Sequence, residues 1–263
     1  MTVNKNELYT LPEKPYTESL LDDMLGESRL VIIGSRPGMG KTTVALDLLR
    51  DSAILSGKTA LFFSLELSLA ELRGRLLAAQ TNIDLDKIVN GGLSAAEQTD
   101  LWEAGEELKN ANIVVQDVRE PSLELLRERC LSQKNTPEGL DIVFVDYLQL
   151  MSASKGVSAD RREAVRTLSD GLKLLADELE RPVVVLSQLN RDVVKRSDKT
   201  PVLTDLSASS SLEQNADMII FVHRPDQYDE DNLSGRSLVF VAKNRTGNLG
   251  AFVRPKHGYS VDS

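Results

Sequence analysis

Cysteine is almost missing from this chain: its 263 residues hold one, Cys130, beside two histidines. A lone cysteine excludes an internal disulfide, and so few Cys and His leave no structural zinc cage. Long hydrophobic runs are missing as well. No stretch of about 18 apolar residues occurs, so no helix of the sequence spans a membrane. Residues 1–19 are polar and mixed in charge, without the basic start and apolar middle of a signal peptide. The expectation is a protein of the reducing cytoplasm with no membrane contact. Nor is there a surplus of positive charge. A net charge of −9 argues against a surface that wraps duplex DNA. It leaves room for a local basic channel, because charges act over a Debye length of about 8 Å.

What is present is enough apolar material for a large core. Hydrophobic residues make up 41% and charged residues 27%. Short runs rich in Val, Ile or Phe recur at residues 30–33, 59–64, 113–115, 142–145, 183–186, 218–222 and 238–241. Continuous rather than alternating runs indicate strands buried on both faces of a mainly parallel sheet. Between them lie helical patterns, at residues 43–50 and 164–179, and after the capping box Ser68-Leu69-Ala70-Glu71. Strand and helix in alternation give an α/β doubly wound fold. Residues 237–242 and 250–254 predict an antiparallel pair at the sheet edge, and residues 152–160, 195–201 and 207–211 predict loops. Residues 1–28 are set apart as an N-terminal extension, with one domain over 29–263.

Between the first strand and the first helix stands Ser35-Arg36-Pro37-Gly38-Met39-Gly40-Lys41-Thr42, followed by Thr43. Backbone N–H groups of such a loop, backed by a helix N-terminus, cradle phosphate oxygens. Gly40 lets the backbone come close, Lys41 reaches the terminal phosphates, and Thr42 offers a hydroxyl to Mg2+. The expected nucleotide set is therefore Ser35 to Thr43, with ATP and Mg2+ as ligands. The general pattern wants glycine first. Here that position is Ser35, and Gly34 stands one residue early. A glycine-rich turn capping an ordinary helix is the plainer alternative, which the strand–loop–helix context opposes.

Carboxylates at the C-terminal ends of strands face the ligand crevice of such a fold. Asp146 closes one run and is the candidate for the Mg2+ shell; the plain alternative is a loop acid or helix cap. Glu66 follows another strand, either as the base that orients the attacking water or as an acid favoured near a helix N-terminus. Gln188, after the run 183–186, is either a γ-phosphate sensor or a neutral strand end. Lys243 and Arg245 are either transition-state cations, acting on a neighbouring subunit's nucleotide, or solvated charges of a hairpin.

Taken together and in order, these pieces resemble the C-terminal motor domain of DnaB-type replicative helicases, a RecA-like P-loop NTPase. The matching stretches are SRPGMGKT at 35–42, FSLEL at 63–67, DYLQLM at 146–151, LSQLNR at 186–191, SLEQNAD at 211–217 and KNRTG at 243–247. The resemblance implies roles position by position. Lys41 and Thr42 hold phosphate and Mg2+, Glu66 is the catalytic glutamate, and Asp146 is the Walker B aspartate. Gln188 is the sensor linked to the DNA loops, and Lys243 with Arg245 act in trans. It further implies a homo-hexamer around single-stranded DNA, 5′-to-3′ movement, and a loader or host replication proteins as partners.

Two departures qualify it. Only residues 1–28 precede the motor, where the family carries a helical domain and a linker helix. Residues 17–25 stand in for that linker, which would dock on a neighbour, and a stand-alone phage or plasmid form in a host cytoplasm follows. The DNA-contacting loop of the family commonly reads Asp-Leu-Arg-Glu-Ser-Gly-Ser. Here it is Asp205-Leu206-Ser207-Ala208-Ser209-Ser210-Ser211, without the arginine. Ser207, Ser209 and Ser210 remain candidate phosphate contacts with Arg191, and Arg161, Arg162, Lys195, Arg196 and Lys199 are basic residues that could compensate. The altered loop keeps a second function open: an ATPase that joins or modulates a host helicase ring without unwinding DNA itself. A RecA-like recombination or signalling ATPase ranks behind both.

Overall fold

The computed structural model describes residues 15–25, 27–118, 121–148, 161–206, 210–228 and 236–254. Eight strands make one sheet: β1 Leu30–Ser35, β2 Ala60–Ser64, β3 Ile113–Asp117, β4 Ile142–Asp146, β5 Val183–Gln188, β6 Met218–His223, β7 Ser237–Asn244 and β8 Gly250–Arg254. Their order is β3-β2-β4-β5-β1-β6-β7-β8. The first six pair in parallel, and β7 and β8 complete the sheet antiparallel. All seven apolar runs are strands, and the edge hairpin is where the sequence places it. β1, β2, β4 and β6 are buried at every position and β5 at all but Gln188, as continuous apolar runs require. β7 alternates buried and half-buried positions, the mark of an antiparallel strand with one face covered.

Helices lie on both faces. α1 (Tyr16–Met24), α2 (Lys41–Ile54) and α3 (Leu69–Thr81) pack on one, where Val31 and Ile33 point. On the other, α6 (Leu123–Lys134) and α7 (Arg161–Leu179) cover Leu30 and Ile32. The period of two along β1 splits the core into these layers. Ser68 and Glu71 form the expected capping box of α3. Three helices, α4 (Leu85–Asn90), α5 (Ala95–Asn110) and α6, were not among the stretches singled out in the sequence. Ser94 and Glu97 make the same box at the start of α5, so its signature was there to be read.

One expectation changes. Residues 207–211 do not all belong to a loop: α8 (Ser210–Asn215) takes in Ser210 and Ser211. Residues 207–209 and 152–160 lie outside the described residues. The stretch 17–25, expected as a stand-in for a linker helix, forms most of α1, which buries Tyr16, Leu20, Leu21 and Met24 in the core of its own chain.

A buried polar cluster fixes α1. The Tyr16 hydroxyl donates to Asp47 Oδ2 in α2, and Arg254 Nε in β8 donates to the same oxygen at 2.6 Å. Asp47 is 1% exposed and Arg254 6%. Burial, then the Asp47 charge, pushes the Tyr16 hydroxyl well above its ordinary pKa. The cluster ties the first helix and last strand to the helix behind the phosphate loop. Among the described residues no helix is long and apolar enough to cross a membrane.

Two predictions follow from this packing. Asp47→Ala strands a buried guanidinium and should cost about 3–5 kcal/mol in urea unfolding. Tyr16→Phe leaves the Asp47–Arg254 pair intact and should cost about 1 kcal/mol. His223, at the end of β6, is 6% exposed, and burial pushes it down to about 4 against the ordinary 6.5. Its folded pKa is depressed, so the unfolded chain takes the proton first as pH falls. Stability is lost between about pH 6.5 and 4. Between pH 7 and pH 5 this group should remove about 2 kcal/mol of unfolding free energy, and His223→Gln should abolish that part of the pH dependence.

Candidate nucleotide site

The parallel register brings several strand ends to one edge. Ser35 of β1 lies beside Gln188 of β5, and Ser64 of β2 lies beside Asp146 of β4. This carboxyl-terminal edge is where open α/β sheets bind ligands. The chain leaves β1 at Ser35, turns through Arg36–Gly40 and enters α2 at Lys41. Gly40 supplies the turn at φ 91°, and Gly38 stands at φ 76°. Both are conformations that L side chains rarely adopt. No side chain among the described residues caps α2, so its first backbone N–H groups stay available to an anion.

The irregular start of the loop has a packing reason. A Cβ on Gly34 would come within 3.0 Å of the Phe221 ring and 3.1 Å of Leu189. Gly34 therefore serves the strand contact and not the phosphates. Ser35 follows it with its hydroxyl donating to the Arg36 carbonyl at 2.8 Å. Arg36 Nη1 in turn donates to the Leu189 carbonyl at 2.7 Å, and fastens the loop to the end of β5.

Asp146 is the centre of the site. Its side chain is 2% exposed, with Lys41 Nζ at 3.2 Å from Oδ1 and the Thr42 hydroxyl donating to Oδ2 at 2.9 Å. A hydroxyl and a carboxylate so placed are the hard oxygen donors Mg2+ takes, so these residues fit that ion. Thr43 Oγ1 is buried and has no hydrogen-bond partner among the described residues. Such an orphan fits a site completed by a ligand. The ammonium of Lys41 lies 4.9 Å from the ring centre of Tyr147, whose peptide bond to Asp146 is cis. Burial, and after it the charges of Glu66 and Asp146, raise the Tyr147 pKa. Glu66, exposed in the turn after β2, thus stands close enough to Tyr147 to act on it through space. Motif spacing gave Tyr147 no role; only the fold shows that it roofs Lys41.

Gln188 ends β5 within this edge, and the chain beyond it runs directly toward residue 207. Leu189 N donates to the Ser35 carbonyl at 2.9 Å, Leu189 bridges to Leu206, and Asn190 N donates to the Asp205 carbonyl at 2.9 Å. Arg196 is not a free DNA-facing cation. It clamps buried Asp205 in a bidentate pair at 2.7 and 2.8 Å. Lys195 pairs with Asp192, and Lys199 lies over Tyr228. Arg191 is exposed at the start of a short 3-10 segment, Arg191–Lys195. Ser207 and Ser209 fall outside the described residues, and Ser210 opens α8.

Lys243 and Arg245 stand apart from everything above. β7 runs against β6 with Lys243 beside Ile219 and Asn244 beside Met218, and Met218 neighbours Val31 at the start of β1. The pair is at the amino end of the parallel strands, opposite the phosphate loop. The length of β1 separates them, about 16 Å at 3.3 Å per residue. The turn is braced by the N-terminal helix: Asn244 Nδ2 donates to Asp23 Oδ2 at 3.0 Å, and Arg29 Nη2 donates to Thr246 Oγ1 at 2.5 Å. A Cβ on Gly247 would meet Asn244 Nδ2 at 2.4 Å, so a larger residue there would displace the Asn244 side chain from its contact with Asp23. Lys243 is half-buried, and burial followed by the neighbouring Arg245 lowers its pKa.

Comparison with known proteins agrees with this geometry. The family described as the DnaB-like helicase C terminal domain matches residues 19–254. The replicative DNA helicase DnaB of Leifsonia xyli subsp. xyli is 38% identical over 228 residues, 86% of this chain and 50% of that protein. A probable plasmid replicative DNA helicase of Chlamydia psittaci is 34% identical over 226 residues, 86% of this chain and 49% of that one. The chain thus spans about half the length of these curated relatives. The solved ATPase domain of G40P superposes with a TM-score of 0.83 at 32% identity, covering 91% of this chain and 86% of that chain. A DnaB-like replicative helicase, described with its interactions with primase, gives a TM-score of 0.85 at 32% identity over 93% of this chain and 60% of that one. With its RecA-like sheet and phosphate loop, the chain belongs to the family of DnaB-like helicase C-terminal domains.

Proposed function

We propose that this chain is the ATP-hydrolysing motor of a replicative DNA helicase, which moves 5′ to 3′ on single-stranded DNA as a homo-hexamer. The observation that supports it most is the placement of Lys41 and Thr42 on the two oxygens of buried Asp146, under an uncapped helix N-terminus. In this reading Lys41 and the backbone N–H groups of residues 38–43 would bind the phosphates, and Thr42 and Asp146 would hold the Mg2+ shell. Mg2+ supplies charge neutralisation on the phosphate oxygens. Glu66 accepts the proton of the attacking water. Gln188 senses the terminal phosphate, and the hydrogen-bonded path from Ser35 through Leu189 to Leu206 carries its position to the segment before residue 207.

Lys243 and Arg245 lie too far from their own phosphate loop to serve it, which favours action on a neighbouring subunit. Serine hydroxyls at 207, 209 and 210, with Arg191, contact the DNA backbone in place of the family's arginine. That set carries less charge, so the affinity for single strands should fall less steeply with salt. Loader or host replication proteins are the expected partners.

Lys41→Ala and Asp146→Asn should each lower the ATPase rate at least about 100-fold, while single-stranded DNA should stimulate the unmodified chain. Full-rate hydrolysis by either variant overturns the site. For the trans assignment, Arg245→Ala and Lys41→Ala chains are each assayed alone and then mixed. Hybrid interfaces pair an intact loop with an intact cation, so the mixture should regain a measurable share of activity. No recovery, with mixed oligomers verified by size, refutes action across an interface. An ATPase indifferent to single-stranded DNA favours the ring-modulating reading.

A further inference from the structure

Within their own subunit the two cations already have acceptors. Lys243 Nζ donates to the carbonyls of Glu213 and Ala216, each at 2.6 Å, and Arg245 Nη2 donates to that of Gln214 at 2.5 Å. These carbonyls close the C-terminal end of α8. Cations there satisfy acceptors that the helix leaves unpaired and oppose its negative end. A six-residue helix has little stability of its own, so such contacts matter to it. Leu212 seats the helix in the core, and among the described residues its polar ties to α7 include Asn215 Nδ2 donating to Ser169 Oγ at 3.0 Å and to Asp170 Oδ1 at 2.6 Å, and Ser169 Oγ donating to the Ser211 carbonyl at 3.3 Å.

Asp217 holds the arrangement from the side. Its Oδ1 accepts from Arg245 Nη1 at 3.0 Å; its Oδ2 accepts from Leu30 N and from Lys173 Nζ, each at 2.9 Å. Its backbone bonds both Leu30 and Arg245. The side chain of Asp217 is 12% exposed and that of Arg245 47%. The anchor is fixed, and the cation it holds is open to solvent.

We propose that Asp217 is a positioning residue: it keeps Arg245, with Lys243 beside it, on the end of α8, and the pair reaches a neighbouring subunit's phosphates by exchanging out of these contacts and loosening α8. This rests on the trans assignment above. A half-exposed ion pair is weak, and a polyphosphate offers the same donors several negative charges in place of the single charge of Asp217 and the neutral carbonyls of α8. The exchange is therefore favoured once the nucleotide is present. One subunit's nucleotide then biases a helix of the next, the one that follows residues 207–209 in sequence.

The test is amide hydrogen exchange across 210–216 in the full chain, with and without a non-hydrolysable ATP analogue and Mg2+. The unmodified protein should exchange several-fold faster there when the analogue is bound. A Lys243→Ala/Arg245→Ala chain should exchange fast in both conditions. Asp217→Asn keeps an acceptor for the Leu30 amide and drops the charge. It should lower KM for ATP several-fold more than it alters kcat, because phosphate no longer competes with a carboxylate. Exchange at α8 that ignores the analogue overturns the proposal, as does an Asp217→Asn chain that loses kcat at unchanged KM. If the exchange result fails while the mixed-subunit assay succeeds, this proposal alone is wrong. If the mixed-subunit assay fails, the trans assignment falls with it.

Discussion

Asp146 is a carboxylate almost wholly removed from water, and everything at the phosphate edge is arranged around that fact. A buried charge is costly unless it is paired, and the pairing comes from Lys41 and Thr42. Both lie on the first turn of α2, so the carboxylate also fixes where that helix starts relative to β4. The neighbouring strand answers too: Leu65 N donates to the Asp146 carbonyl at 3.0 Å and leads to Glu66. Asp146 thereby ties together the candidate site: its carboxylate places Lys41 and Thr42, and its backbone carbonyl holds the chain that leads to Glu66. The ligands that would compete for Lys41 and Thr42 meet a site already formed.

The same sheet separates its two sets of charged groups by the length of its strands. The candidate phosphate-binding residues collect at the carboxyl ends, and Lys243 and Arg245 collect at the amino end through the return of β7 along β6. An antiparallel edge strand can deliver residues to the end that parallel strands begin from. The proposed action on a neighbouring subunit's nucleotide is the use of both ends that this separation leaves open. Asp217 marks the amino end as Asp146 marks the carboxyl end. Asp146 takes its partners from the first turn of α2, whereas Asp217 gathers Lys173 from α7, Arg245 from the turn after β7 and the Leu30 amide at the start of β1.

Outside these two edges the polar groups serve the packing. Asp47 ties Tyr16 and Arg254 to α2, and so closes the chain's first helix and last strand onto one buried carboxylate. Arg196, a cation that sequence spacing left available for DNA, is consumed by Asp205. The acidic surplus of the chain is thus partly internal, spent on strapping loops to the sheet.

Local chemistry was legible because it repeats with a fixed period or spacing. Continuous apolar runs marked buried strands, Ser68 with Glu71 marked a helix start, and the 35–42 segment marked a phosphate loop. Gly34 was legible as a glycine and illegible in purpose, since its reason is the Phe221 ring from a strand nearly two hundred residues away. Helix α8 hid among serines, residues that favour caps and turns; its C-terminal end is held by cations from a distant hairpin, which no local propensity records. The α1 stretch showed its apolar spacing and not its address. By itself the sequence determined the strands, the loop and the residue types of the site, because these follow from neighbours along the chain. Only the tertiary structure decided that α1 folds onto its own domain, that Tyr147 covers Lys41, and that Arg245 sits at the far end of the sheet. Those facts depend on strand order and register, which bring together residues that the chain keeps apart.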